Sequence, residues 1–525
     1  MPAGWGQVVT PNFSGYTGKM SKINLVNLFG LLLFLSAFVP VRAGNVSDPP
    51  APGQMELWQN LAAGIDYREF LLPQPEHIYV SRLERSNPQA FIETSLAQGR
   101  LGGGLETVRD QALRYDQALS YWDGEWGARY QVVAAINGGF FDPQSGLLAN
   151  GMVQSGWYAR QYENRQTVGG FAWRLDRQAF VTECLVSPPG KQQVVLLKSK
   201  KTAPFDGINI PREKDQLVIY TPQYGPVTPS AKSGLEFQVE TGRPLMILPD
   251  QEMITGTVRA VIEDKGENFI PFDHIILSAG GKTAQALKGL LKIGDQIGIA
   301  QEIRHLDSNC RKERSEGLEQ TYAGLAGSQV FLRAGEIQPL NDLGAVLRNP
   351  RTAVALNDQY VYFIVVDGRD QLRSLGMSMV ELAAFAKLYL GATWGVAMDG
   401  GGSSTMVVNG EVMNNPNAET VVRARPDKIE RVVANGLLMV LAQPLQQSHR
   451  FKTGDIVTVS EGGEANLRLG PGTNYTPLAV LPPGSQGVVV AHPLNGVLAK
   501  GYSWWKIVFG ETAGWISESV LQEAR

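Results

Sequence analysis

The sequence contains few cysteines, few histidines and no excess of basic charge. Cys184 and Cys310 are the only cysteines in 525 residues, so a disulfide-dense scaffold is excluded, and whether the two pair stays open. The five histidines are scattered, without the spacing to a cysteine or another histidine that zinc sites require. Lysine and arginine number 47 against 50 acidic residues, which leaves a net charge of -3. Zinc chemistry and nucleic-acid binding are therefore not predicted.

Long hydrophobic runs are also missing, except for one near the N-terminus. Lys19 and Lys22 precede an apolar run over 25–41, and Val41-Arg42-Ala43 before Gly44 fits a signal-peptide cleavage site. We therefore predict a signal peptide over 1–43, with Met20 as a second candidate start. The mature protein is then exported to the periplasm, the cell envelope or the medium, without a stable membrane span. The alternative is an anchor helix, for which the run is short against the ~20 residues of a bilayer span.

Two common enzyme motifs fail on close reading. Gly280-Gly281-Lys282-Thr283 resembles the end of a phosphate-binding P-loop, but Ile276 stands where that motif requires an earlier glycine. No Gly-x-Ser-x-Gly motif is present, and neither cysteine has the surroundings of a nucleophile. ATP binding and acyl transfer are therefore not predicted.

What the sequence does have is 58 glycines and 30 prolines spread between short apolar runs, a pattern typical of many short strands. The strand-like segments include 77–81, 216–221 and 330–333. One helix is predicted over 379–390, because Ser378 and Glu381 form a capping box and Gly391 follows the last turn. Asn409-Gly410 predicts a two-residue hairpin turn. The fold class expected is α+β, a strand-rich mixed domain.

Composition divides the chain into a large and a small domain. Residues 44–66 are expected to form a linker and an N-terminal extension, 67–442 a large domain, and 443–450 a polar linker. Residues 451–525 carry their own strand-sized runs, 456–459, 488–490 and 505–508, separated by glycine and proline. They predict a small all-β barrel that folds on its own.

Three segments of the large domain share one design, an apolar strand that ends in a polar residue and glycine. The first ends in Asn137-Gly138-Gly139-Phe140-Phe141-Asp142, the second in Asp367-Gly368-Arg369, and the third in Asp399-Gly400-Gly401-Gly402-Ser403-Ser404-Thr405. Converging strand ends place polar groups at one rim, and glycines followed by hydroxyl residues suit an anionic oxygen. A plain turn is the alternative for Asp-Gly. Arg351, in Arg348-Asn349-Pro350-Arg351-Thr352, is either a phosphate ligand or a surface arginine.

These strings carry a resemblance to a known family. NGGFFD at 137–142, RNPRTAVAL at 348–356, VVDGR at 365–369 and DGGGSSTMVVNG at 399–410 resemble the phosphodiester glycosidase family, which includes the lysosomal "uncovering" enzyme that removes N-acetylglucosamine from a phosphodiester. The resemblance covers roughly 67–442 in four ordered motifs. Ala355 stands where the family is expected to have glycine, and 188–306 matches only loosely.

The resemblance implies a hydrolase that cleaves the glycosidic bond of a sugar phosphodiester and releases sugar and a phosphomonoester. Asp367 and Asp399 are then the candidate catalytic carboxylates, with Glu381 as a further candidate that the capping box explains equally well. The phosphate is expected at Arg351, the Gly400, Gly401 and Gly402 backbone, and the Ser403 and Thr405 hydroxyls. Asn137 and Asp142 are expected to position the sugar or support the acids.

Two alternatives remain open for the large domain. One is a non-catalytic envelope protein that binds a glycan. The other is a metal-assisted phosphodiesterase in which Asp142, Asp367 and Asp399 bind a divalent cation. The glycosidase hypothesis predicts no cofactor.

The C-terminal segment carries a second resemblance. NLRLGPG at 466–472, the Trp504-Trp505-Lys506 run and Gly514-Trp515-Ile516 resemble a bacterial SH3 domain. Such domains often bind cell-wall or peptide ligands, which implies a bacterial envelope setting. Alternatively, Trp505 and Trp515 are core residues of the small domain.

Overall fold

The computed structural model describes residues 57–73, 76–102, 104–122, 125–162, 169–183, 185–188, 190–230, 234–241, 253–305, 320–416 and 429–524. The predicted signal peptide, Cys184 and Cys310 lie outside these ranges. The described part is strand-rich, as expected for a mixed, mostly β fold. None of the helices in these ranges is long and apolar enough to cross a membrane.

The first half of the chain supplies the elements β1 (Gln59–Ala62), β2 (Ile65–Leu72), β3 (Glu76–Glu84), β4 (Ala90–Leu96), α1 (Val108–Tyr115), β5 (Leu119–Trp122), β6 (Glu125–Asn137), β7 (Met152–Gln154), β8 (Trp157–Arg160), β9 (Gly169–Trp173), β10 (Ala179–Glu183), β11 (Leu185–Val186), β12 (Gln193–Leu196), β13 (Lys201–Pro204), β14 (Gly207–Ile208), β15 (Leu217–Tyr220), β16 (Leu235–Thr241) and β17 (Ile254–Glu263).

The second half supplies β18 (His274–Ala279), α2 (Gly281–Leu287), β19 (Gln296–Ala300), β20 (Arg304–His305), β21 (Ala323–Ala326), β22 (Val330–Arg333), β23 (Glu336–Ile337), α3 (Leu343–Val346), β24 (Arg351–Leu356), β25 (Tyr360–Val366), α4 (Met379–Leu390), β26 (Trp394–Ala397), β27 (Met406–Val408), β28 (Glu411–Val412), β29 (Asn435–Pro444), β30 (Ile456–Val459), β31 (Ala465–Arg468), β32 (Pro477–Leu481), β33 (Gln486–Val489), β34 (Val497–Ala499), β35 (Tyr502–Phe509), β36 (Thr512–Ser517) and β37 (Leu521–Glu523). Short 3₁₀ helices cover Ala97–Gly99, Gly401–Ser403 and Glu518–Val520.

The large domain is built from four main sheets and a two-stranded one. Their strand orders are β1-β2-β3-β25-β24-β26-β22-β23, then β28-β27-β6-β29-β4 with β5 beside β6, then β10-β9-β21-β7-β8, then β13-β12-β19-β17-β16-β18-β15-β14, and β11-β20. We call the first the central sheet and the second the β6 sheet. The candidate functional residues lie on these two.

The central sheet is covered on both faces, which explains the unbroken apolar runs of its middle strands. On β25, Ile364 and Val366 pack into the cluster formed with α4, whereas Phe363 and Val365 pack into the main core. This alternation is the two-residue period of a strand. Helix α4 begins at the predicted capping box and ends at Gly391, whose φ of 64° is left-handed. The predicted helix is confirmed, and so is the hairpin, with Asn409 and Gly410 at positive φ between β27 and β28.

The domain limits differ in detail from the sequence-based division. Strand β1 and the start of β2 lie before residue 67, and β29 extends to Pro444, inside the stretch expected as linker. From residue 451 onward the chain forms one antiparallel sheet, β32-β31-β36-β35-β33-β30-β37, with β34 beside β35. We call it the C-terminal module. Its own core includes Phe451, Trp505 and Ile516. Its identity as an SH3-type domain and its independent folding remain predictions.

The C-terminal module packs against the large domain at several points, which include an aromatic contact, an ion cluster and Lys500, whose Nζ donates to the carbonyls of Leu113, Arg114 and Asp116. The ring of Phe272 lies 5.7 Å from that of Tyr475 and 5.6 Å from that of Trp515. The neighbouring Asp273 accepts a hydrogen bond of 2.9 Å from Lys506 Nζ. Trp515 is therefore buried at a contact with the large domain, whereas Trp505 belongs to the module's own core.

Candidate functional site

Two strands of the central sheet end at the same edge. Strand β24 is antiparallel to both neighbours, with Arg351 opposite Val366 of β25 and Ala353 opposite Ala397 of β26. The C-terminal ends of β25 and β26 therefore flank the beginning of β24. Asp367 directly follows β25, and Asp399 follows β26 after one further residue. The antiparallel register alone thus brings two sequence-predicted carboxylates to one rim.

Asp367 is buried and held by four hydrogen bonds. Its Oδ1 accepts from Asn414 Nδ2 at 3.1 Å and from the Asn415 N–H at 3.0 Å. Its Oδ2 accepts from the Tyr79 hydroxyl and from the same Asn415 N–H, both at 3.1 Å. Burial raises the pKa of the Asp367 carboxyl, while these donors oppose the rise by favouring the charged form. The carboxylate is therefore fixed in orientation before any ligand binds.

The Tyr79 hydroxyl continues a chain of polar contacts toward the surface. It lies 3.0 Å from His77 Nδ1, and the two rings are stacked with centroids 4.3 Å apart. His77 Nε2 lies 2.9 Å from Glu69 Oε2. Glu69 is 36% exposed, so the chain connects the buried Asp367 with a carboxylate that solvent reaches.

Asp399 is less buried and faces positive charge. Its Oδ2 accepts a hydrogen bond of 2.5 Å from the Ser403 hydroxyl, and the Gly400 N–H also donates to the carboxylate. Burial raises the pKa of the Asp399 carboxyl, and the nearby charge of Arg431 counteracts that rise. The Arg431 guanidinium is exposed, with Nη1 at 3.5 Å from Ser403 Oγ.

The Asn137 side chain connects the loop that follows β26 with strand β24 through hydrogen bonds inside the protein. It is 1% exposed, and its Nδ2 donates to the Asp399 carbonyl at 2.6 Å. Its Oδ1 accepts from the Thr352 hydroxyl at 2.7 Å and the Thr405 N–H at 3.1 Å. Of the two roles expected for Asn137, these contacts favour support of the acids, because the side chain is engaged inside the protein.

The glycine-rich loop after Asp399 is a tight turn with its own internal bonds. Gly401 has a φ of 64°, and its N–H donates to the Pro350 carbonyl at 2.9 Å. Gly402 is buried within the short 3₁₀ helix. The expected open concavity of N–H donors is thus partly used up by the loop. The Thr405 hydroxyl is buried and has no hydrogen-bond partner among the described residues.

Arg351 is not a surface arginine, and backbone carbonyls engage two of its three guanidinium nitrogens. It is 7% exposed, and Nε donates to the Met377 carbonyl at 2.6 Å. Nη2 donates to the carbonyls of Gly344 and Leu347, at 2.7 and 2.5 Å. Burial lowers the pKa of Arg351 to about 10. The surface alternative is therefore wrong: Arg351 ties the start of β24 to the preceding loop, and phosphate contact through Nη1 stays a prediction.

Two other arginines approach the glycine-rich loop. Arg369, at a left-handed φ of 62°, has Nη2 3.0 Å from the point where a Cβ on Gly401 would lie. Burial lowers the pKa of Arg369, and repulsion from Arg431 adds to the effect. The charge of Arg431 also acts on Asp399, whereas Arg369 is placed by its approach to Gly401. Together they form the positive side of the site.

Asp142 and Glu381 have local roles. Asp142 is exposed, and its Oδ1 accepts the N–H groups of Gln144 and Ser145, which lowers the pKa of its carboxyl. It closes a turn, and no described contact joins it to Asp367 or Asp399. Glu381 completes the capping box of α4 and forms an ion pair with Arg348. Neither is placed at the rim by these contacts.

The sequence-based selection does not include Tyr79, Arg369, Asn414 or Arg431, although Arg369 stands in the VVDGR string. Asn414 and Asn415 follow the return strand β28, and a pair of asparagines at the end of a hairpin was a usable signal. Tyr79 lies mid-strand and Arg431 in a polar stretch, and neither has a distinguishing pattern. Within the described ranges, no three His, Cys, Asp or Glu side chains are arranged to hold a metal ion. The three-carboxylate metal site of the phosphodiesterase alternative is thus not formed there.

Comparison with solved structures finds distant matches. A hypothetical protein from Synechocystis gives a TM-score of 0.46 at 16% identity over 74% of this chain and 64% of its own length. A protein of Burkholderia pseudomallei described as exported gives 0.45 at 19% identity, over 69% and 74% of the two chains. The zebrafish N-acetylglucosamine-1-phosphodiester alpha-N-acetylglucosaminidase catalytic domain gives 0.33 at 13% identity, over 71% and 81%. All three TM-scores are below 0.5, so no property of these proteins is transferred to this chain.

Comparison with sequence families is more informative. No curated protein matches the chain. One family model does match. Its range contains both Asp367 and Asp399, and it also includes part of the stretch 188–306, in which the family motifs are weak. It begins after Asn137 and ends before the C-terminal module. Residues 253–440 match the phosphodiester glycosidase family.

Proposed function

We propose that this protein is an exported glycosidase that hydrolyses the bond between a sugar and a phosphodiester, with release of free sugar and a phosphomonoester. The observation that supports it most is that two held carboxylates, Asp367 and Asp399, lie at one rim, with Arg431 acting on Asp399 and Arg369 near Gly401. The family match over 253–440 supports the reaction class. Export rests on the predicted signal peptide over 1–43.

The chemistry of the leaving group explains why arginines matter in such a site. When the bond between the anomeric carbon and the phosphate oxygen breaks, the electron pair stays on that oxygen. A phosphomonoester has a second pKa of about 6, so it leaves as an anion without needing a strong acid. Positive groups that meet the developing charge stabilise the transition state. Arg369 and Arg431 fit this task better than the engaged Arg351, and we assign the phosphate to them.

The two carboxylates then act on the sugar, at the anomeric carbon and the ring. In this proposal Asp399, next to the arginines, removes a proton from water or attacks the anomeric carbon itself. Asp367 is held charged by Tyr79, Asn414 and Asn415, and it stabilises the positive charge that develops on the sugar ring. The Thr405 hydroxyl has no described partner but is fully buried, so the phosphate contact expected of it would require the glycine-rich loop to move. Ser403 instead orients Asp399.

The deciding experiment is product analysis in water enriched in ¹⁸O. Protein lacking residues 1–43 is incubated with N-acetylglucosamine phosphodiesters, with and without a chelator. A glycosidase places ¹⁸O in the released sugar and none in the phosphomonoester. Label in phosphate together with loss of activity in chelator would establish the metal-assisted phosphodiesterase instead. Binding without any product would establish the glycan-binding alternative.

A further inference from the structure

A cavity lies between the large domain and the C-terminal module, away from Asp367 and Asp399. Its volume is about 400 Å³, within the ~300–1,000 Å³ of small-ligand sites. Tyr130 lines it from β6, and Asn137 ends the same strand. The separation of these two residues along the strand is on the order of 20 Å. The cavity is therefore distinct from the candidate active site.

The walls combine aromatic faces with amides. Aromatic side chains come from Tyr115, Tyr130, Trp157, Phe272 and Tyr475, and amides from Gln98, Gln154, Gln223 and Asn474. A sugar ring offers a C–H face that packs on an aromatic ring and hydroxyls that both donate and accept hydrogen bonds. Amide groups also donate and accept. The lining thus matches a carbohydrate better than a purely apolar ligand.

Tyr130 and Ser155, which line the cavity, are fixed by hydrogen bonds to a buried carboxylate behind them. Glu93 is fully buried, and its Oε2 accepts from the Tyr130 and Ser155 hydroxyls, both at 2.6 Å. Its Oε1 accepts from the Ser155 N–H at 3.0 Å. Ser155 therefore cannot swing away, although it belongs to the turn between β7 and β8. A wall fixed before binding loses less entropy when a ligand binds.

The charge of the lining is positive. Arg100 and Arg114 line the cavity, and no aspartate or glutamate of the described residues does. Arg114 is paired with Glu106. The Arg100 Nε is buried and has no hydrogen-bond partner among the described residues. A buried donor without a partner is costly, and an anionic group of a ligand would satisfy it.

We propose that this cavity is a second binding site, for a glycan that carries a carboxylate. The sugar ring lies against the aromatic and amide wall, and Arg100 binds the carboxylate. Because Asn474 and Tyr475 belong to the C-terminal module, the site needs both parts of the chain in place. The proposal does not depend on the reaction proposed above.

The test is titration calorimetry on the protein lacking residues 1–43. The probes are a tetrasaccharide of alternating N-acetylglucosamine and N-acetylmuramic acid, neutral chitotetraose, and the acidic peptide acetyl-Ala-Asp-Ala-amide. We expect the carboxylated tetrasaccharide to bind most tightly. Arg100→Gln and Asn474→Asp should each weaken it about fivefold, since one removes a positive charge and the other adds a negative charge. Both should leave chitotetraose within about twofold.

Arg259→Gln is the matched control, because Arg259 is an exposed arginine paired with Glu240 outside the cavity lining. It should change no binding constant. Absence of tetrasaccharide binding, equal binding of chitotetraose, or unchanged binding in both cavity variants would overturn the proposal. Peptide binding as tight as that of the tetrasaccharide would overturn the carbohydrate assignment. Thermal unfolding of each variant verifies that it is folded.

Discussion

The Tyr79 hydroxyl donates a hydrogen bond of 3.1 Å to Asp367 Oδ2, although the two residues lie on neighbouring strands nearly three hundred positions apart. Strand β3 pairs with β25 so that Tyr79 is opposite Val365, two residues before the carboxylate. The hydroxyl favours the charged form of Asp367 and opposes the effect of burial. Tyr79 is thus a positioning residue for the acid.

Tyr79→Phe should move the acid limb of the pH profile. Removing a donor to the charged form raises the pKa of Asp367, so activity should fall off at higher pH than in the native enzyme. The measurement is kcat/KM against pH on a confirmed sugar phosphodiester. Tyr360→Phe, on the same sheet but away from the rim, is the control and should leave the limb in place. An unshifted limb in Tyr79→Phe would remove the positioning role.

Asp367→Asn and Asp399→Asn should each lower turnover by ~10²–10⁴-fold, the usual effect of losing a positioned acid, base or nucleophile. Both variants keep the size of the side chain. Steady-state kinetics with circular dichroism as a folding check is the measurement. Asp370→Asn is the control, since Asp370 is close in sequence but caps an exposed turn. Near-native turnover in either active-site variant would exclude that residue.

Arg431→Gln and Arg351→Lys separate phosphate binding from structure. Loss of the exposed Arg431 should weaken kcat/KM and inhibition by the phosphomonoester about tenfold, with little change in stability. Arg351→Lys should instead lower the free energy of unfolding by about 2 kcal/mol, because lysine cannot satisfy three carbonyls in the same geometry. Arg450→Gln is the control, because Arg450 is exposed directly before the C-terminal module. A catalytic defect confined to Arg351→Lys would return the phosphate site to that residue.

Glu76 should make stability fall as pH rises. Burial raises the pKa of Glu76 to about 7, and Oε1 has no hydrogen-bond partner among the described residues. Between about pH 4.5 and 7 the folded state thus holds a proton that the unfolded state has lost. The native protein should lose up to about 3 kcal/mol across this range relative to Glu76→Gln. Thermal unfolding of both proteins at pH 5 and 7.5 measures the difference, and parallel pH dependences would contradict it.

Phe272→Ala should loosen the C-terminal module. The ring is 4% exposed, and burying a phenylalanine contributes roughly 3–5 kcal/mol. We expect faster tryptic cleavage at Arg450 and Lys452, near the boundary. Phe269→Ala is the control, because Phe269 is 44% exposed in the same loop. Equal cleavage rates in the two variants would show that Phe272 does not hold the module.

The sequence could predict those features that local patterns determine. Helix α4, the β27–β28 hairpin and strand β25 follow from capping, turn residues and apolar runs, and the structure confirms them. Asp367 and Asp399 were found because glycine follows each one directly. Partners distant in sequence were not found, because no local pattern indicates that Tyr79 lies beside Asp367. The carbonyl partners of Arg351 are likewise not indicated by any local pattern, because tertiary packing supplies them.

Phe272 packs between Tyr475 and Trp515, and this contact limits which ligands the C-terminal module can bind. A ligand that needed the face of Trp515, which does not line the cavity, would have to compete with Phe272, a residue of the same chain. A tethered competitor is present at an effective concentration in the millimolar range, so a free ligand of micromolar affinity would be held off this face. The module is therefore a fixed part of the protein on this side.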